Sequence, residues 1–395
     1  MNKTENKLVP ELRFPEFIND GEWKKTELDK LAHSISSGKD KNSIEGKYKL
    51  YGSTGIIGTS NISSYNGKFI LVARVGANAG LLNKVSGNFG VTDNTLVIDL
   101  KKLNIIDFIF YSLEKTKLNN LVFGSGQPLI TGSQLKNLKL FLPNSEKEQQ
   151  KIADCLSSLD GVISIHNDKL EALKNHKKGL LQNLFPQEGE TVPKYRFPEF
   201  KNDREWEEKE LNELGKLING LTYSPNDVRE KGLLVLRSSN VQNGLIDLKD
   251  CVYVRTDIKG ANLSQPNDIL VCVRNGSKAL IGKNAMIPKK LPIATHGTFM
   301  TVFRAKNPYF AFQLFQTVFY EKQVSGDLGA TINSINGKNF LKYVFPVPKN
   351  PKEQQKIADC LSEVDNLITA QADKIEQLKA HKKGLMQRLF PQLKA

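Results

Sequence analysis

The stretch EQQKIADCLS fills residues 148–157 and returns unchanged at 353–362, an offset of 205. Extended to 146–187 against 351–392, the match holds at 28 of 42 positions, and both copies close on LFPQ. A second repeat precedes it. VPELRFPEF at 9–17 recurs as VPKYRFPEF at 192–200, an offset of 183, and the only two tryptophans, Trp23 and Trp206, obey the same offset. Self-similarity on this scale has to be satisfied before any local reading of a chain. The sequence is therefore two copies of one unit: arm, large block, short block. The offset grows from 183 to 205 within the unit, so the second large block carries 22 more residues. The short blocks agree closely and the large blocks only weakly. That pattern reads as a duplicated scaffold holding two different heads.

The short blocks are predicted to be long helices. Apolar side chains recur at alternating spacings of four and three, the signature of a heptad seam. In the first copy the seam runs Ile152, Leu156, Leu159, Ile163, His166, Leu170, Leu173, Lys177, Leu180, Leu184; in the second, Ile357, Leu361, Val364, Ile368, Gln371, Ile375, Leu378, Lys382, Leu385, Leu389. The polar exceptions fall at the same places. Ser145 with Glu148 forms a capping-box pattern, and Asn350 followed by Pro351 marks the start of the second helix. Pro186 and Pro391 close them, because proline lacks the N–H that a continuing helix needs. Two nearly identical seams in one chain are expected to pair with each other, antiparallel, since that arrangement relates the two units by a pseudo-twofold axis. His166 and Gln371 then read as polar residues that fix the register, and Lys177 and Lys382 as side chains that snorkel out of the seam. The arm at 9–17 is expected to pack near the end of the second helix.

The large blocks read as mixed α/β. Strand-like runs bounded by Gly and Asn occur at 68–76, 94–100, 232–240, 268–276 and 299–305, the pattern of buried strands. Helical patterns follow at 105–121 and 308–324, then glycine-rich loops at 123–132 and 325–337, then short apolar strands at 138–143 and 343–348. The expected boundaries are 1–144 for the first head, 145–187 for the first helix, 188–349 for the second head and 350–395 for the second helix.

Charge points to a partner. The 395 residues carry a net charge of +14. Residues 1–145 hold 19 basic against 13 acidic side chains and residues 188–350 hold 23 against 17, while the short blocks are nearly neutral. Basic heads attract phosphate backbones through counterion release. Several head loops combine glycine with side chains able to hold phosphates or read base edges. Arg74, Asn78, Lys84 and Gln127 stand out in the first head, and Arg237, Arg274, Asn275, Lys278 and His296 in the second.

Other classes recede. No apolar run approaches a membrane span, and the N-terminal MNKTENKLVPELRF lacks the apolar stretch of a signal peptide. The four cysteines, Cys155, Cys251, Cys272 and Cys360, form no C-x-x-C pair, so a disulfide framework or zinc ribbon is not expected and a reducing cytoplasm fits. No phosphate loop, H-E-x-x-H or nucleophile elbow is present. Asn307-Pro308-Tyr309-Phe310 lacks the second proline of the N-P-P-Y motif of amino-methyltransferases, and no glycine loop for S-adenosylmethionine precedes it.

The repeated Pro143…Glu148-Gln149-Gln150-Lys151-Ile152 and Pro348…Glu353-Gln354-Gln355-Lys356-Ile357, each a strand–proline–EQ-x-x-I entry into a long helix, resemble the spacer regions of type I restriction-modification specificity (S) subunits. YGSTGIIG (51–58), ILVARVGANAG (70–80) and GSGQPLITGSQL (124–135) resemble that family's target-recognition domains. The resemblance spans essentially the whole chain, although the second head lacks a clear YGSTGIIG counterpart. It implies two α/β target-recognition domains joined by an antiparallel coiled coil. It implies a non-catalytic chain that binds a bipartite, asymmetric double-stranded DNA target, one half-site per head. It also implies two methyltransferase (M) subunits, which use S-adenosylmethionine, and restriction (R) subunits, which use ATP and Mg²⁺, with no cofactor or metal on this chain. A stand-alone DNA-binding protein, or a nuclease or methyltransferase fused to its own reader, are the competing expectations.

Overall fold

The computed structural model describes residues 8–102, 105–122, 129–328 and 333–392. The chain forms two compact units. One comprises Met1–Asp168 with Ala372–Ala395, the other Lys169–Gln371. Each unit thus takes the start of one long helix and the end of the other.

The first unit opens with β1 (Lys24–Glu27), a turn of helix α1 (Leu28–Leu31), β2 (Ala32–Ser37), β3 (Tyr48–Gly52), β4 (Gly55–Ser60), β5 (Tyr65–Ala73), β6 (Leu82–Val91) and β7 (Thr95–Leu100). Strands β2 to β7 make a six-stranded sheet in the order β2-β7-β5-β6-β3-β4. Alternation along β5 explains why the sheet is buried on both sides. Ile70 and Val72 enter the main core with Trp23, Ile98 and Phe108, while Leu71 enters a second cluster with Val85, Phe89 and Val97; successive side chains leave a strand on opposite faces. Helix α2 (Ile106–Thr116) covers the main-core face and stops where Lys117 turns left-handed at φ 50°. The one-turn α3 (Gly132–Lys136) carries a capping box between Thr131 and Gln134, and β8 (Lys139–Leu142) pairs antiparallel with β1.

The second unit repeats this frame around different insertions. After helix α4 (Glu146–Leu184) come β9 (Glu207–Glu210), α5 (Leu211–Leu214) and β10 (Gly215–Asn219). The central insertion holds β11 (Val228–Arg229), β12 (Leu233–Leu236), β13 (Val241–Gln242), β14 (Leu245–Ile246) and β15 (Val252–Val254). Then follow β16 (Ile269–Cys272), β17 (Asn284–Met286), β18 (Ala294–His296) and β19 (Met300–Ala305). One four-stranded sheet runs β10-β19-β16-β17, a second β11-β15-β12-β18. Helices α6 (Pro308–Leu314) and α7 (Val318–Asp327) divide the single helix expected at 308–324, and α8 (Gly337–Phe340), β20 (Val344–Val347) and α9 (Pro351–Leu389) complete the chain.

The two repeat offsets are built into the pairing. In the first unit Ala32 faces Leu100 and Ile70 faces Ile98; in the second Gly215 faces Ala305 and Ile269 faces Phe303. Ala32 and Gly215 lie 183 residues apart, Ile70 and Ile269 lie 199 apart, and Leu100 and Ala305, like Ile98 and Phe303, lie 205 apart, so the extra residues of the second unit fall mostly before β16 and the rest after it.

Helices α4 and α9 are 39 residues each, about 58 Å at 1.5 Å per residue. In the first unit Ile152, Ala153 and Leu156 of α4 share a core with Met386 and Leu389 of α9. In the second, Ile357, Ala358 and Leu361 of α9 share one with Leu184 of α4. Within each unit the start of one helix packs on the end of the other, which is antiparallel pairing. The two seam lysines depart from the sequence expectation. They do not snorkel away: Lys382 lies 2.8 Å from Asp160 and Lys177 2.7 Å from Asp365, with both ammonium groups mostly covered. The lysines are repeat equivalents, and so are the aspartates.

Candidate nucleic-acid interface

Both units present a loop at the same point in the frame. In the first, the loop after β5 is pinned by Gly80 N–H donating to Ala73 O at 2.8 Å and Ala73 N–H donating to Leu81 O at 2.9 Å. In the second, the loop after β16 is pinned by Gly282 N–H to Cys272 O at 2.8 Å and Cys272 N–H to Lys283 O at 2.9 Å. Gly80 and Gly282 have φ of +95° and +84°, where a side chain would be strained. A Cβ on Gly80 would also meet the backbone of Asn119 at 2.5 Å. The segment before α3 or α8 closes the loop: Ile130 N–H donates to Arg74 O and Ile335 N–H to Val273 O, both at 2.8 Å. The two loops therefore start from equivalent anchors. Between Ala73 and Gly80 lie residues 74–79; between Cys272 and Gly282 lie the longer 273–281.

Arg74 and Asn78 share the first loop. The Arg74 Nη1 donates to Asp93 O at 3.5 Å while its Nε is enclosed, and Asn78 is exposed on the turn Gly76–Asn78. Lys84 departs from the expected loop grouping. It sits on β6, ion-paired with Asp107 of α2 and 5.7 Å from the centre of the Phe110 ring. Gln127 lies outside the described residues.

In the second unit Arg274, Asn275 and Lys278 all belong to the loop after β16, with Arg274 and Lys278 exposed. Asn275 Nδ2 donates to Ser238 Oγ at 3.0 Å, which ties this loop to the one after β12. Arg237 there is ion-paired with Asp250 at 2.7 Å. His296 is a correction. It is fully buried in β18, its Nε2 2.9 Å from Ile218 O, and burial holds its pKa below the usual imidazole range. A fully buried ring bonded to a backbone carbonyl does not reach a ligand.

Of the seam residues, Ile152, Ile357, Val364 and Gln371 are buried, and Leu159, His166, Leu173 and Leu378 half-buried. Glu148 does not turn back to Ser145 as a capping residue. It is fully buried and receives both Arg13 Nε at 2.8 Å and Arg13 Nη2 at 2.7 Å. Glu353 receives Arg196 in the same way, at 2.8 and 2.7 Å. These pairs tie each arm to the entry of the following helix. Local reading missed them because the partners are 135 and 157 residues apart; the clue was the repeated R-F-P-E-F arm. The arm also meets the other helix end: Leu12 N–H donates to Arg388 O at 2.9 Å, and Trp23 packs edge-on against Phe390 at 5.9 Å. In the second unit Tyr195 N–H donates to Asn183 O at 2.8 Å, and Phe185 packs edge-on against Trp206 at 5.8 Å.

Among the described residues, no group of three or more His, Cys, Asp or Glu is placed to hold a metal ion. No helix among them is long and apolar enough to cross a membrane.

The family model for the type I restriction modification DNA specificity domain matches residues 20–175 and 203–380. Its two matches begin 183 and end 205 residues apart, the offsets of the internal repeat. The chain is 28% identical over 336 residues to the MjaVIII specificity subunit of Methanocaldococcus jannaschii, covering 81% of this chain and 78% of the relative. It is 29% identical over 178 residues to the EcoKI specificity subunit of Escherichia coli, covering 42% and 37%. Among solved structures, the type I S subunit from M. genitalium matches with a TM-score of 0.67 at 18% identity, over 98% of this chain and all of that one. A chain from a study of type I assembly and conformational transition matches with a TM-score of 0.52 at 15% identity, over 93% and 97%. At such identities the structural likeness carries the fold.

Proposed function

The chain belongs to the type I restriction-modification DNA specificity family, and on that premise we propose that each unit reads one half of a bipartite, asymmetric DNA target. It is a specificity subunit, the component that gives its complex a DNA target. The observation that supports one half-site per unit is the pair of equivalently anchored loops after β5 and β16. The frame is the same and the side chains differ, so two unlike sequences are read in a common way. Phosphate contacts from the basic heads supply affinity, and base-edge contacts from the loops supply choice. Arg74 and Asn78 take this role in the first unit, and Arg237, Arg274, Asn275 and Lys278 in the second, with Gln127 carried over from the sequence.

The chain is non-catalytic in this reading and acts in the cytoplasm through two methyltransferase subunits and restriction subunits. The partners bring S-adenosylmethionine, ATP and Mg²⁺. Exposed Lys174, His176 and Lys178 on α4, and their counterparts Lys379, His381 and Lys383 on α9, are the proposed docking faces for the methyltransferase subunits. Methylome sequencing of cells expressing the chain with its methyltransferase subunit tests the reading. One motif with two unlike halves and a fixed gap is expected; methylation at a single uninterrupted site would contradict it.

A further inference from the structure

We propose that Phe299 reads a thymine methyl group in the half-site of the second unit. The inference rests on the reading above, in which the loop after β16 faces DNA. Phe299 is 52% exposed, the one phenylalanine among the described residues whose side chain is left so open. It is also held firmly. Its carbonyl accepts from Val273 N–H at 2.9 Å and Arg274 N–H at 3.1 Å, and the turn containing it is closed by Met300 N–H donating to Gly297 O at 2.9 Å. The Arg274 guanidinium lies over the ring, 5.9 Å from its centre, so the cation stands on one face while the rest of the phenyl surface stays open. The repeat supplies a comparison. Asn94 stands at the equivalent position of the first unit, where its carbonyl accepts from Arg74 N–H at 3.0 Å. One unit thus offers an amide and the other a phenyl ring at the same anchored point. On the base edges of an intact duplex the apolar group of the major groove is the C5-methyl of thymine, and phenyl rings contact it there. Arg274 beside it suits the guanine edge.

The test uses the chain complexed with its methyltransferase subunits and duplexes bearing the motif found by methylome sequencing. Each thymine of the motif is replaced in turn by deoxyuridine, which keeps the pairing and removes the methyl. With the unchanged chain, one position in one half-site is expected to weaken binding about fourfold, the worth of one buried methyl-sized group. With Phe299→Ala, thymine and deoxyuridine duplexes should bind alike at that position, whereas Phe299→Leu should keep part of the difference. Unchanged thermal unfolding of both variants shows that the fold is kept. A motif whose deoxyuridine penalties all survive Phe299→Ala, or whose half-sites both lack thymine, overturns the inference and leaves the two-half-site reading intact. Absence of any bipartite motif overturns both.

Discussion

The Arg13 guanidinium grips both oxygens of Glu148, at 2.8 and 2.7 Å, across 135 residues of chain. Its twin, Arg196 on Glu353, has matching distances. Each guanidinium also bonds the turn that follows its arm, Arg13 to Gly21 O at 2.7 Å and Arg196 to Asp203 O at 2.8 Å. Arm, turn and helix entry are therefore locked by one buried bidentate pair per unit. Removing one partner leaves a buried charge, so Arg13→Ala is expected to cost about 3–5 kcal/mol. Replacing both partners by apolar residues should recover most of that loss. Denaturant unfolding of Arg13→Ala, Glu148→Leu and an Arg13→Met/Glu148→Leu double variant checks this; a double variant no better than the singles contradicts it.

The reciprocal pairs Lys382–Asp160 and Lys177–Asp365 join α4 to α9 inside each unit, with the lysine side chains 13% and 14% exposed. The aspartates are about a third exposed, so solvent screens the attraction. A double-mutant cycle on Lys177 and Asp365 should give a coupling of about 1 kcal/mol. Lys382 also approaches Glu114 at 3.1 Å and the Tyr111 ring at 5.0 Å, so Lys382→Ala should destabilise more than Lys177→Ala. Equal effects in thermal melts would show that these extra contacts contribute nothing.

His296 gives a pH dependence. Its pKa is lowered in the folded state by burial, so below about pH 6.5 the unfolded chain takes up a proton that the folded chain refuses. Its contribution is fully present above pH 6.5 and is lost as pH falls toward the folded-state pKa, by at most about 1.4 kcal/mol per pH unit. His296→Gln should flatten the difference in unfolding midpoint between pH 7.5 and pH 5.5. An unchanged difference would assign the acid sensitivity elsewhere.

Each long helix runs unbroken from one unit into the other, α4 through Asp168 and Lys169 and α9 through Gln371 and Ala372. Deleting seven residues, two turns, from the middle of both is expected to leave both half-sites readable and to change the gap between them. Methylation-site mapping that returns the original gap would show that the helices do not set it.

The parts legible in the sequence were those governed by period and repetition. The seam of α4 and α9 followed from spacing alone, and strands such as β5, β7, β16 and β19 from short apolar runs between turn residues. Long-range pairing was invisible. Glu148 looked like a helix cap because Ser145 is three residues away, while its true partner is in the arm. Lys177 and Lys382 looked solvent-bound because their aspartates stand on the other helix. His296 reads as available because it stands among polar loop residues, but it lies in β18 with its ring against the Ile218 carbonyl of β10, in the other sheet. Phe299 was hidden in an apolar run that reads as strand, and only the turn at Gly297 places it outside β19. The helix expected at 308–324 divides because Phe315, Gln316 and Thr317 separate α6 from α7 and send Phe315 into the core.

The most direct test of one half-site per unit replaces residues 1–144 with the corresponding segment of another specificity subunit and maps methylation genome-wide. The account predicts a motif in which one half changes while the other half is retained. A motif altered in both halves would contradict it.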